Sequence, residues 1–510
     1  MNKQEAFFNH ITEGNTNKGE YITLGSAMLD GKTIKNAFVN VPLKTMNRHG
    51  LIAGATGTGK TKTLQVLAEN LSEKGVPVIL MDIKGDLSGL AQPSPGHAKI
   101  DERHEAIGLP FEPKAFPVEI LTLSAQNGVR LRATISEFGP VLISRILDVT
   151  ETQAGIISVI FKYCDDNKLP LLDLKDFKKI LQYATDEGKK EFEEAFGRIS
   201  TASTGAILRK IVELEQQGGD LFFGEKSFDP QDLLRVDENG RGYINIIRLT
   251  DIQDKPKLFS TFMLSLLAEI YSTFPEQGDT GRPELIMFID EAHLIFNEAS
   301  KALLNQIESI VKLIRSKGVG LYFVTQNPTD VPEAVLSQLG LKVQHALRAF
   351  TAKDRKAIKL TAQNYPDTEY YDTANVLTSL GTGEALVSAL NEKGRPTPLA
   401  ATMMRAPMSR MDILTDTELE NLLNNSKLVK KYNEEVDRES AYEMLNEKIE
   451  QAEAEELKEK ARKEKEALEK AKSKSTSSRK STRMNPIVKV LTSATFIRSV
   501  FGILTKVMKK

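Results

Sequence analysis

The feature that most constrains the fold of this chain is a glycine-rich octapeptide. It fits the spacing G-x-x-x-x-G-K-[ST] at every fixed position and consists of Gly54, Ala55, Thr56, Gly57, Thr58, Gly59, Lys60 and Thr61. Glycines at this spacing let backbone N–H groups turn toward phosphate oxygens, and a following helix adds the positive end of its dipole. Lys60 can reach the outer phosphates, and the Thr61 hydroxyl can hold Mg²⁺. The octapeptide therefore predicts a site for ATP and Mg²⁺.

The flanks of the octapeptide have the patterns of a strand and a helix. An apolar run at 51–53 precedes it, and residues 63–74 carry apolar side chains at helical spacing. Gly75 ends that predicted helix, and 76–83 is a second apolar run of strand length. A strand, a helix and a strand of these lengths predict a parallel crossover unit, and hence an α/β fold with a mostly parallel sheet.

Asp82 lies at the end of the second predicted strand. Ligands of open α/β sheets bind at the carboxyl ends of the strands, so Asp82 is placed to help position Mg²⁺ or an attacking water. An aspartate at a strand end also caps the following turn by accepting backbone hydrogen bonds. The sequence alone leaves both interpretations open.

A second acidic motif follows the unbroken apolar run at 285–289, which is typical of a strand buried on both faces. The run ends in Asp290 and Glu291. Because a phosphate-binding motif precedes it in the same chain, Asp290 is predicted to hold Mg²⁺ and Glu291 to activate water as a general base. His293 lacks the His-Glu-x-x-His spacing of a zinc site, so no metal-ligand role is predicted for it.

Polar residues after the next predicted strands complete the candidate site. Gln326 follows the predicted strand 320–325, where its amide can bond the γ-phosphate or the attacking water; the alternative is a capped turn before Pro328. A ring ATPase needs an arginine at the γ-phosphate of the neighbouring subunit. The candidates for this role are Arg315, Arg348 and Arg355.

Changes in composition and the positions of turn-forming residues predict the boundaries of the domains. Residues 1–45 form a short β-rich lead-in, and 46–407 form the nucleotide-binding core. Within the core, the proline-containing stretch 92–117 is predicted to be a loop, and about 135–235 a helical insertion. A hairpin at 385–404 is expected to close the core.

Two charged segments follow the core. Residues 412–483 predict a solvated single helix or weak coiled coil that ends in a flexible linker. Residues 484–510 carry five basic side chains, no acidic one, and apolar residues at helical spacing, which predicts a basic amphipathic helix. Such a helix suits an anionic membrane surface, a protein partner, DNA, the rest of the same protein or a neighbouring subunit, and the sequence leaves this choice open.

Bulk composition limits the classes of function. A formal net charge of −1 argues against nucleic-acid binding through overall charge, although a local patch remains compatible with it. The single cysteine, Cys164, excludes an intramolecular disulfide and a multi-cysteine zinc site. With no secretory signal and no apolar run of spanning length in the sequence, the expected location is cytoplasmic, with peripheral membrane contact through 484–510 left open.

The motifs together resemble those of the HerA/FtsK group of P-loop motor ATPases, and within it the bacterial HerA-like proteins of the YjgR type. The resemblance runs from about residue 48 to residue 405 and is carried by 47–51, 82–86, 290–293 and 381–386. It implies a RecA-like core, hexameric rings, ATP hydrolysis and DNA translocation. By the same resemblance Lys60 binds phosphate, Asp82 and Glu291 serve catalysis, and Arg315 is the favoured arginine finger.

Two hypotheses of function remain at this point. The first is an oligomeric-ring DNA translocase or helicase, which the resemblance favours. The alternative is an ATP-dependent switch or assembly scaffold that does not act on DNA and associates with a membrane through its C-terminal tail. The net charge near zero favours the alternative.

Overall fold

The computed structural model describes residues 2–475 except 253, 279, 299, 300, 435 and 437. Packing divides the chain into a large unit, Met1–Leu445, and a second unit that begins at Asn446. The predicted basic helix at 484–510 and the end of the predicted linker lie outside the described residues.

In the described part of the chain, a twelve-stranded sheet forms the centre of the large unit. Its strands are β1 (Tyr21–Leu29), β2 (Lys32–Pro42), β3 (Gly50–Ala53), β4 (Val78–Asp82), β5 (Val118–Thr122), β6 (Val129–Arg130), β7 (Ile244–Arg248), β8 (Leu285–Ile289), β9 (Val319–Thr325), β10 (Leu341–His345), β11 (Glu384–Ser388) and β12 (Ala400–Met404). They lie side by side in the order β2-β1-β12-β11-β10-β3-β9-β8-β4-β7-β5-β6.

The sheet has a parallel and an antiparallel part. The strands from β10 through β3, β9, β8, β4, β7 and β5 to β6 are all parallel. At the other end, β11, β12, β1 and β2 continue the sheet in antiparallel pairs. All residues of β4 and β8 are buried, which explains their unbroken apolar sequences. The predicted α/β fold with a mostly parallel sheet is confirmed.

Helices surround this sheet and fill the insertion. The described helices are α1 (Lys3–Gly14), α2 (Lys60–Glu73), α3 (Ala98–Ile107), α4 (Ile135–Ile146), α5 (Glu151–Asn167), α6 (Leu174–Tyr183), α7 (Lys189–Phe196), α8 (Thr201–Gln216), α9 (Gly219–Phe222), α10 (Pro256–Thr273), α11 (His293–Glu298), α12 (Lys301–Leu313), α13 (Glu333–Leu336), α14 (Ala352–Ala362), α15 (Thr373–Ser379), α16 (Asp416–Asn425), α17 (Lys427–Tyr432) and α18 (Ala441–Ser475). Short 3-10 helices span Leu43–Arg48, Ser88–Ala91, Pro230–Leu234, Ile314–Lys317 and Pro328–Asp330.

Helices α4 to α9 occupy the stretch between β6 and β7, where the sequence predicts a helical insertion. Helix α18 covers about half of the charged segment 412–483. Among the helices of the described residues, none has the length and apolar character that crossing a membrane requires.

The loop prediction for 92–117 is wrong over α3. The ring Nδ1 of His97 accepts a hydrogen bond from the Lys99 backbone N at 3.1 Å, which caps the start of this helix. Gly108 ends it in the left-handed conformation, with φ of 84°. Capping at both ends outweighs the signal from the flanking prolines, and this helix brings Arg103 to the site described below.

The β-rich lead-in belongs to the same sheet as the core. Strand β1 pairs with β12, with Gly25 opposite Met404, and β2 pairs with β1 around the turn at Asp30 and Gly31. A Cβ at Gly25 would lie 1.9 Å from the Met403 carbonyl oxygen, so this close approach of β1 and β12 requires glycine.

Candidate nucleotide-binding site

The glycine-rich loop 54–59 leaves the carboxyl end of β3, between the ends of β9 and β10. The Gly54 N donates to the Thr325 carbonyl oxygen at 3.3 Å, and the Ala55 N donates to the Ala346 carbonyl oxygen at 2.9 Å. The loop is thus tied on both sides to neighbouring strands. This is the edge at which open α/β sheets bind ligands.

Local geometry explains the glycines of the loop. Gly54, Gly57 and Gly59 have φ values of 153°, 77° and 117°. A Cβ at Gly54 would lie 2.5 Å from the Cβ of His345. The tip residues Thr56 and Gly57 are exposed, and no side chain caps the N-terminus of α2, which begins at Lys60. The first-turn N–H groups of α2 therefore form an anion-binding terminus.

Lys60 lies across the loop. Its Nζ donates to the carbonyl oxygens of Gly54 at 2.6 Å and Ala55 at 3.2 Å, and the residue is buried. Burial lowers the Lys60 pKa and the charge of Lys84 lowers it further, while Glu291 and Asp290 act in the opposite direction. The ammonium is therefore held at the loop by carbonyls that a phosphate can replace.

Asp290 and Glu291 follow β8, and both residues are buried. The Glu291 N donates to the Asp290 Oδ1 at 3.0 Å, and Glu291 has a positive φ of 46°. Burial raises the pKa of Asp290 to about 6, although the nearby Lys84 lowers it. The pair lies two strands from the glycine-rich loop, at the same edge of the sheet.

Lys84, which the sequence analysis gave no role, contacts both acids. Its Nζ lies 2.7 Å from the Glu291 Oε1 and 3.8 Å from the Asp290 Oδ2. Burial lowers the Lys84 pKa, but the two carboxylates outweigh it, so the pKa lies above its ordinary value. The signal in the sequence was its position two residues after Asp82, at the carboxyl end of the strand beside β8. His293 Nδ1 lies 3.3 Å from the other Glu291 oxygen, Oε2, which accepts no hydrogen bond.

Asp82 shapes the loop that carries Lys84. Its Oδ1 accepts hydrogen bonds from the Gly85 N at 2.6 Å and the Asp86 N at 3.2 Å, and its Oδ2 accepts one from the Leu87 N at 3.2 Å. Burial raises its pKa to about 6. These contacts are those of the capping interpretation, and a catalytic role of Asp82 stays a prediction.

The remaining predicted residues lie at different places. Gln326 is exposed and follows Thr325, whose carbonyl receives the first bond of the glycine-rich loop. Arg348 and Arg355 are exposed and follow β10, whose carboxyl end lies at the same edge. Arg315 precedes β9 and is therefore at the opposite edge, a strand length of about 20 Å away. Arg315 is therefore too far from the glycine-rich loop of its own chain to reach a nucleotide bound there.

Two supporting residues were missed by the sequence analysis. The buried His345 ring contacts the Thr63 Oγ1 through Nε2 at 2.9 Å and the Glu384 carbonyl oxygen through Nδ1 at 2.8 Å. Arg103 Nη1 donates to the Gly383 carbonyl oxygen at 3.0 Å. All three contacts join residues distant in sequence, so none of them leaves a local pattern.

Two oxygen-bearing side chains of the site suit Mg²⁺. Thr61 offers a hydroxyl at the start of α2, and Asp290 a buried carboxylate, which are the ligand types that Mg²⁺ prefers alongside phosphate oxygens and water. Within the described chain, no three His, Cys, Asp or Glu side chains form a metal-binding group. The Thr61 hydroxyl and the Asp290 carboxylate fit a magnesium ion that arrives with a nucleotide.

A glycine-rich loop between parallel strands, a buried lysine and an acid pair two strands away define a P-loop nucleotide-binding protein. Residues 28–509 match the family Helicase HerA-like C-terminal, and the chain belongs to this family. The resemblance stated from the motifs is confirmed.

Curated relatives include archaeal proteins. The chain is 23% identical over 376 residues to the DNA double-strand break repair helicase HerA of Sulfolobus acidocaldarius, covering 70% of this chain and 66% of the relative. It is 24% identical over 366 residues to the HerA of Saccharolobus solfataricus, covering 69% and 64%. The chain therefore spans slightly less than two thirds of the length of these relatives.

Among solved structures, the bacterial conjugative coupling protein TrwB is similar with a TM-score of 0.51 and 15% identity. The similarity covers 80% of this chain and 95% of that chain. It shows that the two proteins share a fold.

Proposed function

We propose that this protein hydrolyses ATP. The observation that carries the proposal is the convergence of Lys60, Asp290 and Glu291 at one sheet edge, with the buried ammonium and both carboxylates close enough to act on one another electrostatically. Phosphates would bind to the N–H groups of 54–61 and replace the loop carbonyls at the Lys60 ammonium. Thr61 and Asp290 would hold Mg²⁺, which neutralises charge on the phosphate oxygens.

In the proposed reaction, Glu291 accepts a proton from water as the water oxygen attacks the γ-phosphorus. The bond from this phosphorus to the bridging oxygen breaks, and ADP and phosphate leave. Gln326, beside the loop, is proposed to bond the γ-phosphate or the attacking water. Asp82 supports the site by holding its neighbouring loop.

We also propose that the active form is a ring, most simply a hexamer. Arg315 lies at the edge of the sheet opposite its own glycine-rich loop, so it serves catalysis only from a neighbouring subunit. Arg348 and Arg355 remain alternative contributors on the near edge. A lone subunit is then expected to have little activity.

DNA is the proposed substrate of the motor. The curated relatives named as DNA repair helicases support this, as does a basic face on α14 with exposed Arg355, Lys356 and Lys359. Electrostatic contact with phosphates needs such a patch even when the net charge is near zero. A role of 484–510 at a membrane or a protein partner stays a prediction.

Two substitutions test the hydrolysis proposal. Lys60→Ala is expected to abolish nucleotide binding or turnover, because it removes the buried cation at the loop. Glu291→Gln is expected to keep ATP bound while turnover falls by at least 10²-fold, because an amide cannot accept the proton. Equilibrium binding and single-turnover kinetics measure both effects. Normal hydrolysis by Glu291→Gln would show that another group is the base.

A further inference from the structure

Lys84 contacts the two acids that are proposed to serve hydrolysis, and its charge acts on Lys60, the proposed phosphate ligand. We propose that Lys84 gates the general base: it pairs with Glu291 when the site is empty or holds ADP, and moves to the γ-phosphate when ATP binds. The inference rests on the proposed ATP hydrolysis and adds regulation of that same site.

The contact distances describe the paired state. The ammonium lies 2.7 Å from one Glu291 oxygen and 3.8 Å from an Asp290 oxygen. The Glu291 side chain is 9% exposed, whereas that of Lys84 is 41% exposed. The carboxylate is therefore enclosed by the protein, while the lysine reaches it from a partly solvated position through a flexible four-carbon stem.

The backbone at the base of this stem is held in place. The Asp82 carboxylate accepts hydrogen bonds from the three consecutive N–H groups of 85–87, immediately after Lys84. A movement of Lys84 would therefore be a change of side-chain rotamer on a fixed loop. Such a change needs no rearrangement of the sheet.

The paired state is unsuited to catalysis. Lys84 occupies the Oε1 of Glu291, while the Oε2 is near His293. A water activated by Glu291 needs one of these oxygens, so the ion pair prevents Glu291 from acting as the general base.

ATP supplies both a repulsion and an attraction that would release Lys84. The Lys84 ammonium lies 3.8 Å from an Asp290 oxygen, so a Mg²⁺ ion bound at this carboxylate would repel it. The γ-phosphate adds anionic oxygens near Lys60, and the charges of Lys60 and Lys84 already act on each other across the site. ADP lacks those oxygens. Lys84 moves without transferring a proton, which leaves Glu291 free to accept the proton of water.

Equilibrium binding of two nucleotides to the full-length protein tests this inference. The probes are ADP and a non-hydrolysable ATP analogue, both with Mg²⁺, and the variants are Lys84→Met, Glu291→Gln and their combination. Lys84→Met is expected to weaken the analogue about tenfold, equal to about 1.4 kcal/mol, and to change ADP affinity less than twofold. Glu291→Gln is expected to tighten the analogue several-fold, because Lys84 no longer has to leave a carboxylate.

The combined variant decides between gating and a permanent ion pair. Gating predicts that Glu291→Gln tightens the analogue only while Lys84 is present. Equal weakening of both nucleotides by Lys84→Met, or tightening that persists without Lys84, would overturn the inference. Lys114→Met is the matched control, because Lys114 is similarly exposed and pairs with Glu73 at 3.2 Å.

Two further measurements keep the result interpretable. Lys84→Gln repeats the comparison should the methionine variant fail to fold, and its expected effects are the same. Failure of the wild-type protein to bind either nucleotide in a Lys60-dependent way would refute the proposed function and the gating with it. Normal Lys60-dependent binding with no selective effect of Lys84 would refute the gating alone.

Discussion

Replacing Arg103 with methionine tests how the glycine-rich loop is supported from outside its own motif. The guanidinium donates to the carbonyl oxygens of Thr382 at 3.1 Å, Gly383 at 3.0 Å and Met404 at 3.1 Å. The Gly383 N in turn donates to the Thr58 carbonyl oxygen at 2.9 Å. Removing Arg103 therefore releases the turn that holds one side of the loop.

The expected magnitude follows from these three contacts. A hydrogen bond from a charged donor contributes about 1.5–3 kcal/mol net, but bonds that share one donor group are not additive and half-buried carbonyls regain water. A loss of about 3 kcal/mol is expected. An unfolding entropy near 2 cal/mol/K per residue, summed over the large unit Met1–Leu445, converts this to a fall of about 3 °C in Tm.

Calorimetry and ADP binding measure the two consequences of Arg103→Met. Nucleotide affinity is expected to fall about tenfold along with Tm, because the loop loses its support on the side of β11. Lys3→Met is the control, since the Lys3 and Asp30 side chains of that ion pair are 58% and 68% exposed and its loss should cost less than about 1 kcal/mol. A lower Tm with unchanged ADP affinity would refute the claim that this turn supports the loop.

Two further predictions concern the loop and the histidine beneath it. Gly54→Ala places a Cβ 2.5 Å from the His345 Cβ, at a backbone φ of 153°. Urea unfolding should therefore show a loss of at least about 2 kcal/mol in the free energy of unfolding, and ADP binding should weaken. Gly240→Ala is the control, because open space surrounds Gly240 and the substitution should cost about 1 kcal/mol. Burial, with the charge of Lys60 acting in the same direction, lowers the pKa of His345 to about 4. The pKa of a histidine in the unfolded chain is near 6.5, so between pH 6.5 and pH 4 the folded state binds fewer protons than the unfolded state. The free energy of unfolding therefore falls as the pH drops from 6.5 to 4, by up to about 3 kcal/mol for this group. His345→Asn should reduce that fall in pH-dependent unfolding, and an unchanged profile would contradict the assignment.

The parts of the site that the sequence predicts are those with local patterns. The glycines and Lys60 lie within one short segment of the chain, so their spacing can be recognised directly. The apolar run at 285–289 predicts a buried strand before Asp290. Alternation of strand and helix signals predicts the parallel sheet because each unit must bury its apolar face against the next. These features need no knowledge of which strands are neighbours.

The parts that the sequence misses depend on strand order. Lys84 meets Glu291 because β4 lies beside β8, although more than two hundred residues separate them. Arg103 reaches Gly383 from α3, a helix in a stretch that its prolines led the sequence analysis to predict as a loop. The role of Asp82 is also beyond the sequence, because it depends on whether the carboxylate oxygens accept backbone hydrogen bonds or bind a ligand.

The most direct test of the account is the steady-state ATPase rate of the purified protein with and without double-stranded and single-stranded DNA. It should be measured at low and moderate salt, alongside the particle mass by light scattering. The account predicts that DNA raises the rate on a hexamer-sized particle and that Lys60→Ala abolishes it. Hydrolysis that is indifferent to DNA, or full activity in a monomer, would contradict the proposal of a ring motor acting on DNA.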